Sequence, residues 1–412
     1  MTTFAVENHR NVALVGHGAT GKTTLADLIL HKTGIASRAG SVDDGSSLLD
    51  IDDDEKERKS SLSSAAVHCE HQGKRITLID APGYPDFIGQ AIGALRAVET
   101  AVIVINAHAG IEVNTRRMFG LAGNAGVGRM ILINKCDTDN VDYSQLIDDI
   151  QEMFGATCVP LNVPVGISES FSGVVSTLSA AESVPDGAQA DPADFNATLM
   201  DAIVEADEAL MERFLEGEEL SADEVSAGVS KAIAAGTLIP ILCSSSRNDV
   251  GVSEFMDALA TFALSPTEVS RTAKNAAGEE VTLEPEAGGP AVAQVFKTRI
   301  DPFVAKMSYL RVFSGTLKKD AQVHNVRTDK PLKIGQLFDV QGGKQEPVDQ
   351  AGPGDIVAVI KVEDLATGDT ISGGSDALQL PPIPFPMPMV GLAVEPKSAA
   401  DQQKISGALQ KI

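Results

Sequence analysis

Apolar residues in the first third of the chain fall in short β-branched runs, at 12–15, 76–79, 101–105 and 130–133. Amphipathic stretches separate them. Helical patterns are predicted near 24–33, 86–99, 112–125 and 142–154. In the last of these Leu146, Ile147, Ile150, Met153 and Phe154 fall on one helical face. Strand alternating with helix predicts an α/β fold, a parallel sheet covered by helices. Residues 65–70 and 75–79 flank a turn at Gly73 and read as a hairpin, so one edge strand is expected to be antiparallel.

From 160 to 233 the pattern changes. An apolar segment at 161–167 is followed by small polar residues at 183–193 and helical patterns at 195–215 and 222–235. This predicts an insert, about 158–236, with its own small subdomain. The sheet resumes at 238–242, and a helix follows near 252–263. Residues 265–289 are rich in Pro, Gly, Ala and Glu and read as a boundary closing a first domain over 1–270. Short strand candidates such as 292–296, 306–313, 334–340 and 356–362 then alternate with glycine turns. They predict a small antiparallel barrel over 288–378. A stiff proline-rich linker at 380–388 leads to a strand at 389–394 and a helix at 399–409. The expectation for 388–412 is the start of a third α+β domain, cut short, because so few residues cannot make a core.

Residues 50–64, DIDDDEKERKSSLSS, are charged and show no core face. They read as a mobile solvated loop in the absence of ligand.

Charge and cysteine usage narrow the function classes. The 412 residues carry a net charge of −24, which disfavours blanket binding to a phosphate backbone. Cys69, Cys136, Cys158 and Cys243 are far apart and form no C-x-x-C pair, which argues for a reducing compartment and against zinc. No basic-then-apolar leader or membrane-length apolar run is present, so a soluble cytoplasmic protein is expected.

Four stretches carry chemistry. Residues 16–23 read GHGATGKT between a strand and a helix, the context in which G-x-x-x-x-G-K-[ST] forms a phosphate loop. Gly16 and Gly21 allow the tight turn, Lys22 brings charge to the β- and γ-phosphates, and Thr23 offers a hydroxyl to Mg²⁺. Asp80-Ala81-Pro82-Gly83 follows the strand at 76–79. Its Asp can hold Mg²⁺ directly or through water, and its Gly can turn an N–H toward a γ-phosphate. Asn134-Lys135-Cys136-Asp137 ends another strand. A carboxylate there can accept from N1–H and the 2-amino group of guanine, a donor pair adenine lacks. Cys243-Ser244-Ser245-Ser246 ends the last strand, where a loop would offer backbone N–H groups to guanine O6.

The order GHGATGKT, DAPGYPDF, NKCD, LCSSS resembles the translation-factor GTPases. The insert and the segment VFKTRIDPFVAKMSYLRVFSGTL are most similar to elongation factor G, and VGLAVEPKSAADQQKISGALQKI resembles the start of that family's third domain. The resemblance implies a GTPase domain with GTP/GDP and Mg²⁺ as ligands. It also implies a β-barrel second domain and a partner in the ribosome, through rRNA and ribosomal proteins. A monomer without a membrane is expected. The implied nucleotide contacts are Gly16, His17, Gly18, Ala19, Thr20, Gly21, Lys22, Thr23, Thr24, Asp80, Gly83, Asn134, Lys135, Asp137, Ser245 and Ser246. Thr23, Ser61 and Asp80 are the implied metal residues, and Lys22, Gly83 and Tyr84 the catalytic ones.

This chain departs from the family pattern around the γ-phosphate. Gly18 and Ala19 stand where Ile and Asp are usual, Lys59-Ser60-Ser61 replaces Gly-Ile-Thr, and Tyr84 replaces the His that orients the attacking water. These changes resemble divergent elongation-factor-G-like proteins. Translocation and ribosome recycling are the family's tasks. A ribosome-protection or release-type GTPase, or a slow or non-hydrolysing regulator acting by ribosome occupancy, are the alternatives.

Overall fold

In the computed structural model, which describes residues 4–178, 184–218, 220–301, 305–374, 377–388 and 390–409, the chain builds two sheets in contact. The first contains β1 (His9–Gly16), β2 (Ala65–His71), β3 (Lys74–Asp80), β4 (Thr100–Asn106), β5 (Gly128–Asn134), β6 (Cys158–Pro160) and β9 (Ile239–Cys243). Their order is β2-β3-β1-β4-β5-β9-β6. All pairs are parallel except the edge hairpin β2–β3. In β1, Ala13 and Val15 face one apolar cluster and Val12 and Leu14 the other, so the strand is covered on both faces. The covering helices are α1 (Lys22–Lys32), α3 (Ile88–Arg96), α4 (Val113–Asn124), α5 (Tyr143–Phe154) and α9 (Val252–Phe262). The parallel register places the carboxyl ends of β1, β3, β5 and β9 side by side, where ligands bind in open α/β sheets.

The insert departs from expectation in two ways. First, 195–215 is not one helix but two, α6 (Pro192–Glu205) and α7 (Glu208–Leu215), because the Asp207 side chain caps a new start by accepting from the N–H groups of Ala209 and Leu210. Second, its helices share the core of the sheet. Leu199 and Ile203 of α6, and Val229 and Ile233 of α8 (Ala222–Ala235), belong to the cluster that holds Leu25 and Phe255. A short hairpin of β7 (Asn162–Val165) and β8 (Gly173–Ser176) packs on the other face through Val163.

The boundary at 265–289 also contains structure. It forms a hairpin of β10 (Arg271–Lys274) and β11 (Glu280–Leu283), whose Ala273 and Leu283 pack with Val292, Phe313 and Leu380. The second sheet follows, made of β12 (Val292–Asp301), β13 (Ala305–Ser314), β15 (Gln322–Asn325), β16 (Lys330–Lys333), β17 (Leu337–Gln341), β18 (Lys344–Val348), β20 (Ile356–Ile360) and β21 (Thr370–Ser372). It is antiparallel throughout, in the order β16-β15-β21-β12-β13-β20-β17-β18, and curls round one apolar cluster. The two-residue strands β14 (Leu317–Lys318) and β19 (Gln350–Ala351) pair beside it.

The proline-rich linker is docked at its start by buried Leu380 and Ile383. No strand forms over 390–394, and Val390, Leu392 and Val394 are exposed; Met389 lies outside the described residues. A strand needs a partner edge, and among the described residues none lies beside this segment. Helix α10 (Ala399–Leu409) forms as predicted. No helix among the described residues is long and apolar enough to cross a membrane.

The two sheets are locked by buried charge. Arg311 of β13 and Glu99 of the first unit, both 1% exposed, pair at 2.8 Å, and Asn11 Nδ2 donates to Glu99 (2.9 Å) and to Gly354 O (3.1 Å). Arg75 of β3 pairs with Asp339 of β17 at 2.8 Å. Buried pairs of this kind add little net stability but tolerate few alternative arrangements.

Candidate nucleotide site

The turn after β1 is dictated by close approach. A Cβ on Gly16 would lie 2.4 Å from Val104 O, and one on Gly21 (φ +92°) would lie 2.5 Å from Asn134 Nδ2. Lys22 opens α1 almost fully buried, its Nζ donating to His17 O at 2.6 Å. Burial pulls its pKa down to about 8, although Asp80 and Glu112 oppose the shift. The shift comes from burial, and an anion bound beside Lys22 would oppose it as Asp80 and Glu112 do. Ala19 sits at φ +59°, a left-handed conformation that costs an L-residue with a Cβ about 1 kcal/mol. His17 lies 3.4 Å from Glu112.

Next to Lys22 is a set of oxygens. Thr23 Oγ1 donates to Asp80 Oδ2 at 2.6 Å and lies 3.2 Å from Ser61 Oγ, which donates to Asp50 Oδ1 at 2.7 Å. Asp80 Oδ1 and Asp50 Oδ2 are buried without a hydrogen-bond partner. Burial pushes the Asp80 carboxyl up to about 7, with Lys22 and Thr23 opposing and Asp50 and Asp27 adding to the rise. Hydroxyl and carboxylate oxygens with unmet negative charge fit a hard cation such as Mg²⁺. Among the described residues no group of three or more His, Cys, Asp or Glu forms a cage, which suits an ion that keeps waters and phosphate oxygens as ligands.

The segment holding Ser61 is not a coreless loop. Asp53–Arg58 forms a short helix, α2, and Glu55 is 2% exposed. The Glu55 carboxylate accepts four backbone N–H groups, from Ile51 (2.9 Å), Asp52 (3.0 Å), Leu62 (2.9 Å) and Ser63 (3.0 Å). The hydrophobic pattern could not reveal this, because a charged side chain supplies the core. Asp50 and Asp27 were missed for the same reason. Asp27, on α1 and fully buried, accepts from Leu48 N at 3.0 Å and packs where a Cβ on Gly40 would fall.

On the terminal-phosphate side, a Cβ on Gly83 would lie 2.5 Å from the carbonyl of His17, so only glycine lets this loop rest on the phosphate loop. Gly83 O accepts from Asn114 Nδ2 of α4 at 2.6 Å. The half-exposed Tyr84 ring covers Gly18, whose added Cβ would meet Tyr84 Cζ at 3.1 Å. Two of the departures from the family pattern, Gly18 and Tyr84, are thus in contact with each other.

On the base side Asn134 is a strut. Its Nδ2 donates to Thr20 O (2.9 Å), and its Oδ1 accepts from Ser246 N (3.0 Å), Ser246 Oγ (3.0 Å) and Ser244 Oγ (3.2 Å). This corrects the expectation of free donors at Ser245 and Ser246. Ser245 N donates to Val250 O at 2.8 Å, and Ser246 N and Oγ both donate to Asn134 Oδ1 at 3.0 Å. Lys135 takes φ +66°, its side chain against Gly21. Asp137 Oδ1 is buried and unpartnered.

Gly18, Ala19, Gly21, Lys22, Thr23, Thr24, Ser61, Gly83, Tyr84, Asn134, Lys135 and Ser246 border one cleft of about 700 Å³, whereas Gly16, His17, Thr20, Asp80, Asp137 and Ser245 do not line it. It is also lined by residues the motifs did not indicate, including Val42, Asp43, Lys59 and Arg247.

Residues 7–265 match the family described as the elongation factor Tu GTP binding domain, and residues 290–374 match elongation factor G domain 2. The crystal structure of a protein from Thermus thermophilus is similar over 99% of this chain and 60% of its own length, with 30% identity and a TM-score of 0.85. The present chain therefore spans 60% of that relative. It belongs to the translational GTPases of the elongation factor G type.

Proposed function

We propose that the chain binds GTP and GDP in this cleft and hydrolyses GTP, slowly by itself and faster on the ribosome. The observation that carries this is the pair of buried, unpartnered carboxylate oxygens in the two ligand-holding motifs, Asp137 Oδ1 and Asp80 Oδ1. One suits the donor pair of guanine, the other the cation that accompanies phosphates.

In this reading Gly16–Thr24 cradles the phosphates and Lys22 supplies the charge. Thr23, Asp80 and Ser61, with Asp50 behind Ser61, hold Mg²⁺, which when bound offsets charge on the β- and γ-phosphate oxygens. Gly83 presents its N–H to the γ-phosphate, and Asn114 fixes the orientation of that loop. Asn134 keeps the base loops in register, and Lys135 and Asp137 hold guanine. Ser246 shapes the cleft wall, with the buried Ser245 beside it in the same loop. Tyr84 orients water; a phenol donates and accepts hydrogen bonds but is a poor acceptor for a water proton. The domain boundaries that fit this task are 1–270 for nucleotide binding and 288–378 for the second domain. We propose support of translocation or recycling as its task, in line with the family it belongs to.

A second reading, occupancy of the ribosome with little hydrolysis, is favoured by Tyr84 standing over Gly18 in place of a His. Single-turnover GTP hydrolysis with and without ribosomes separates the two, using the parent, Tyr84→Phe and Tyr84→His. Ribosome stimulation in the parent, reduced in Tyr84→Phe, supports hydrolysis. A parent that ribosomes do not stimulate, but that Tyr84→His makes active, supports occupancy.

A further inference from the structure

Strand β12 of the second sheet touches both segments that flank the terminal-phosphate end of the cleft. Its Lys297, 7% exposed, donates from Nζ to Ser64 O and lies over the Tyr309 ring at 5.2 Å. Two residues on, Arg299 pairs with Asp52 at 2.6 Å. Ser64 is itself buried, and its N–H and hydroxyl both donate to Gln90 Oε1, at 3.1 and 3.2 Å. Gln90 belongs to α3, the helix that follows Tyr84. The same helix rests on the β12 backbone, since a Cβ on Gly93 would lie 2.6 Å from Phe296 O.

Ser64 is therefore a junction of three elements. The segment ending at Ser61 meets α3 through an N–H and the second sheet through a carbonyl. Glu55 makes the link stiff, because it accepts from Leu62 and Ser63, the residues between Ser61 and Ser64. Asp52 and Glu55 on one side face Lys297 and Arg299 on the other, so the contact is complementary in charge.

We infer that Lys297 and Gln90, meeting on Ser64, are positioning residues through which the second sheet sets Ser61 and the Tyr84 loop in register for the terminal phosphate. The inference rests on the nucleotide reading above. A buried ammonium with one carbonyl acceptor is costly to place unless its geometry matters. A contact that only glued the sheets together would affect GDP and GTP equally, whereas one that positions these loops would affect GTP more, because GDP lacks the phosphate they would surround.

The test uses the full chain with Lys297→Met, Lys297→Arg and Gln90→Leu. Fluorescent GDP and a non-hydrolysable GTP analogue are titrated with Mg²⁺, and amide exchange is followed over 50–64. Lys297→Met and Gln90→Leu are expected to weaken the analogue about tenfold more than GDP, the scale of one lost buried hydrogen bond to a charged group. Exchange over 50–64 should rise, and Lys297→Arg should retain most of the discrimination. Equal losses for both nucleotides, or no loss, overturn the inference. If the parent binds neither nucleotide, the nucleotide reading fails by itself. Exchange then decides the junction: unchanged protection over 50–64 in Lys297→Met overturns it. If Lys297→Met does not fold, Arg299→Gln is read the same way, with a smaller split expected and an unchanged ratio counting against the inference.

Discussion

The two ends of the cleft are built by opposite means. At the base end one amide, Asn134, binds the phosphate loop and the serine loop together, with both its side-chain N and O engaged inside the protein. At the phosphate end Thr23, Ser61, Asp80 and Asp50 come from distant parts of the sequence, and two carboxylate oxygens have no partner. The base end is braced by Asn134 and leaves one buried carboxylate oxygen, Asp137 Oδ1, without a partner. The phosphate end is incomplete without a cation and an anion. Selectivity for the base is therefore expected to depend on one side chain, whereas the phosphate end should respond to pH, metal and contacts from the second sheet.

The sharpest way to break this contrast is Asp137→Asn. The carboxylate would accept two charge-assisted hydrogen bonds from guanine, so the amide should weaken GTP by about 10³-fold. Xanthosine triphosphate should recover much of that loss, since an amide can donate to its 2-oxo group. Competition titrations check both. ATP competing with GTP at comparable affinity in the parent would remove the basis of the comparison.

The phosphate end should show its incompleteness as a pH dependence. Folding raises the Asp80 carboxyl to about 7 by burial. The folded state then holds a proton that the unfolded chain has released, from pH about 4 upward. Stability of the ligand-free protein should accordingly fall as pH rises from about 4 to about 7, by on the order of 4 kcal/mol from this group. Asp80→Asn should flatten that slope relative to the parent and stabilise the ligand-free protein above pH 7, while losing the Mg²⁺ dependence of nucleotide affinity. Urea unfolding at several pH values tests the sign. A variant less stable than the parent at pH 8 without ligand would show that the buried charge is already compensated.

A smaller effect is expected at Asn114, which holds the Gly83 carbonyl. Asn114→Leu leaves that oxygen unpaired and frees the Gly83 peptide to turn. A GTP analogue should lose about tenfold in affinity and GDP little. Equal losses would place Asn114 among the helix-packing residues instead.

The sequence revealed the two ends unequally, and the reason is physical. The parallel sheet follows from apolar runs such as Val12–Val15 and Ala101–Ile105, and the loops that must follow those strands carry their own glycines and carboxylates. What the pattern could not show is polar burial. Glu55, Asp50 and Asp27 organise the phosphate side from inside, yet in sequence they look like solvated charge. Short elements held by a few contacts were lost as well. The β10–β11 hairpin lay in a stretch read as a boundary, and the separate start of α7 depends on a single aspartate cap.

The least expected contact, Tyr84 over Gly18, gives the smallest and most specific prediction. A Cβ at 18 would stand 3.1 Å from the ring, a distance the ring can relieve by a shift of a few tenths of an ångström. Gly18→Ala should therefore be nearly silent. The branched side chain of Gly18→Val leaves less room and should turn the ring outward. The chain offers a direct readout: it has no tryptophan and three tyrosines, of which Tyr143 and Tyr309 are buried and Tyr84 is 45% exposed. Iodide quenching of tyrosine emission thus reports mainly on Tyr84. Quenching should rise in Gly18→Val and hardly change in Gly18→Ala. If the ring orients water from this position, ribosome-dependent single-turnover hydrolysis should fall in Gly18→Val by a factor similar to that in Tyr84→Phe. That factor should be well below the roughly 10²–10⁴ associated with a positioned acid–base group. Increased quenching with an unchanged rate would mean that Tyr84 only packs on the phosphate loop. An unchanged rate in Tyr84→Phe as well would leave the terminal-phosphate end without a water-orienting side chain at position 84.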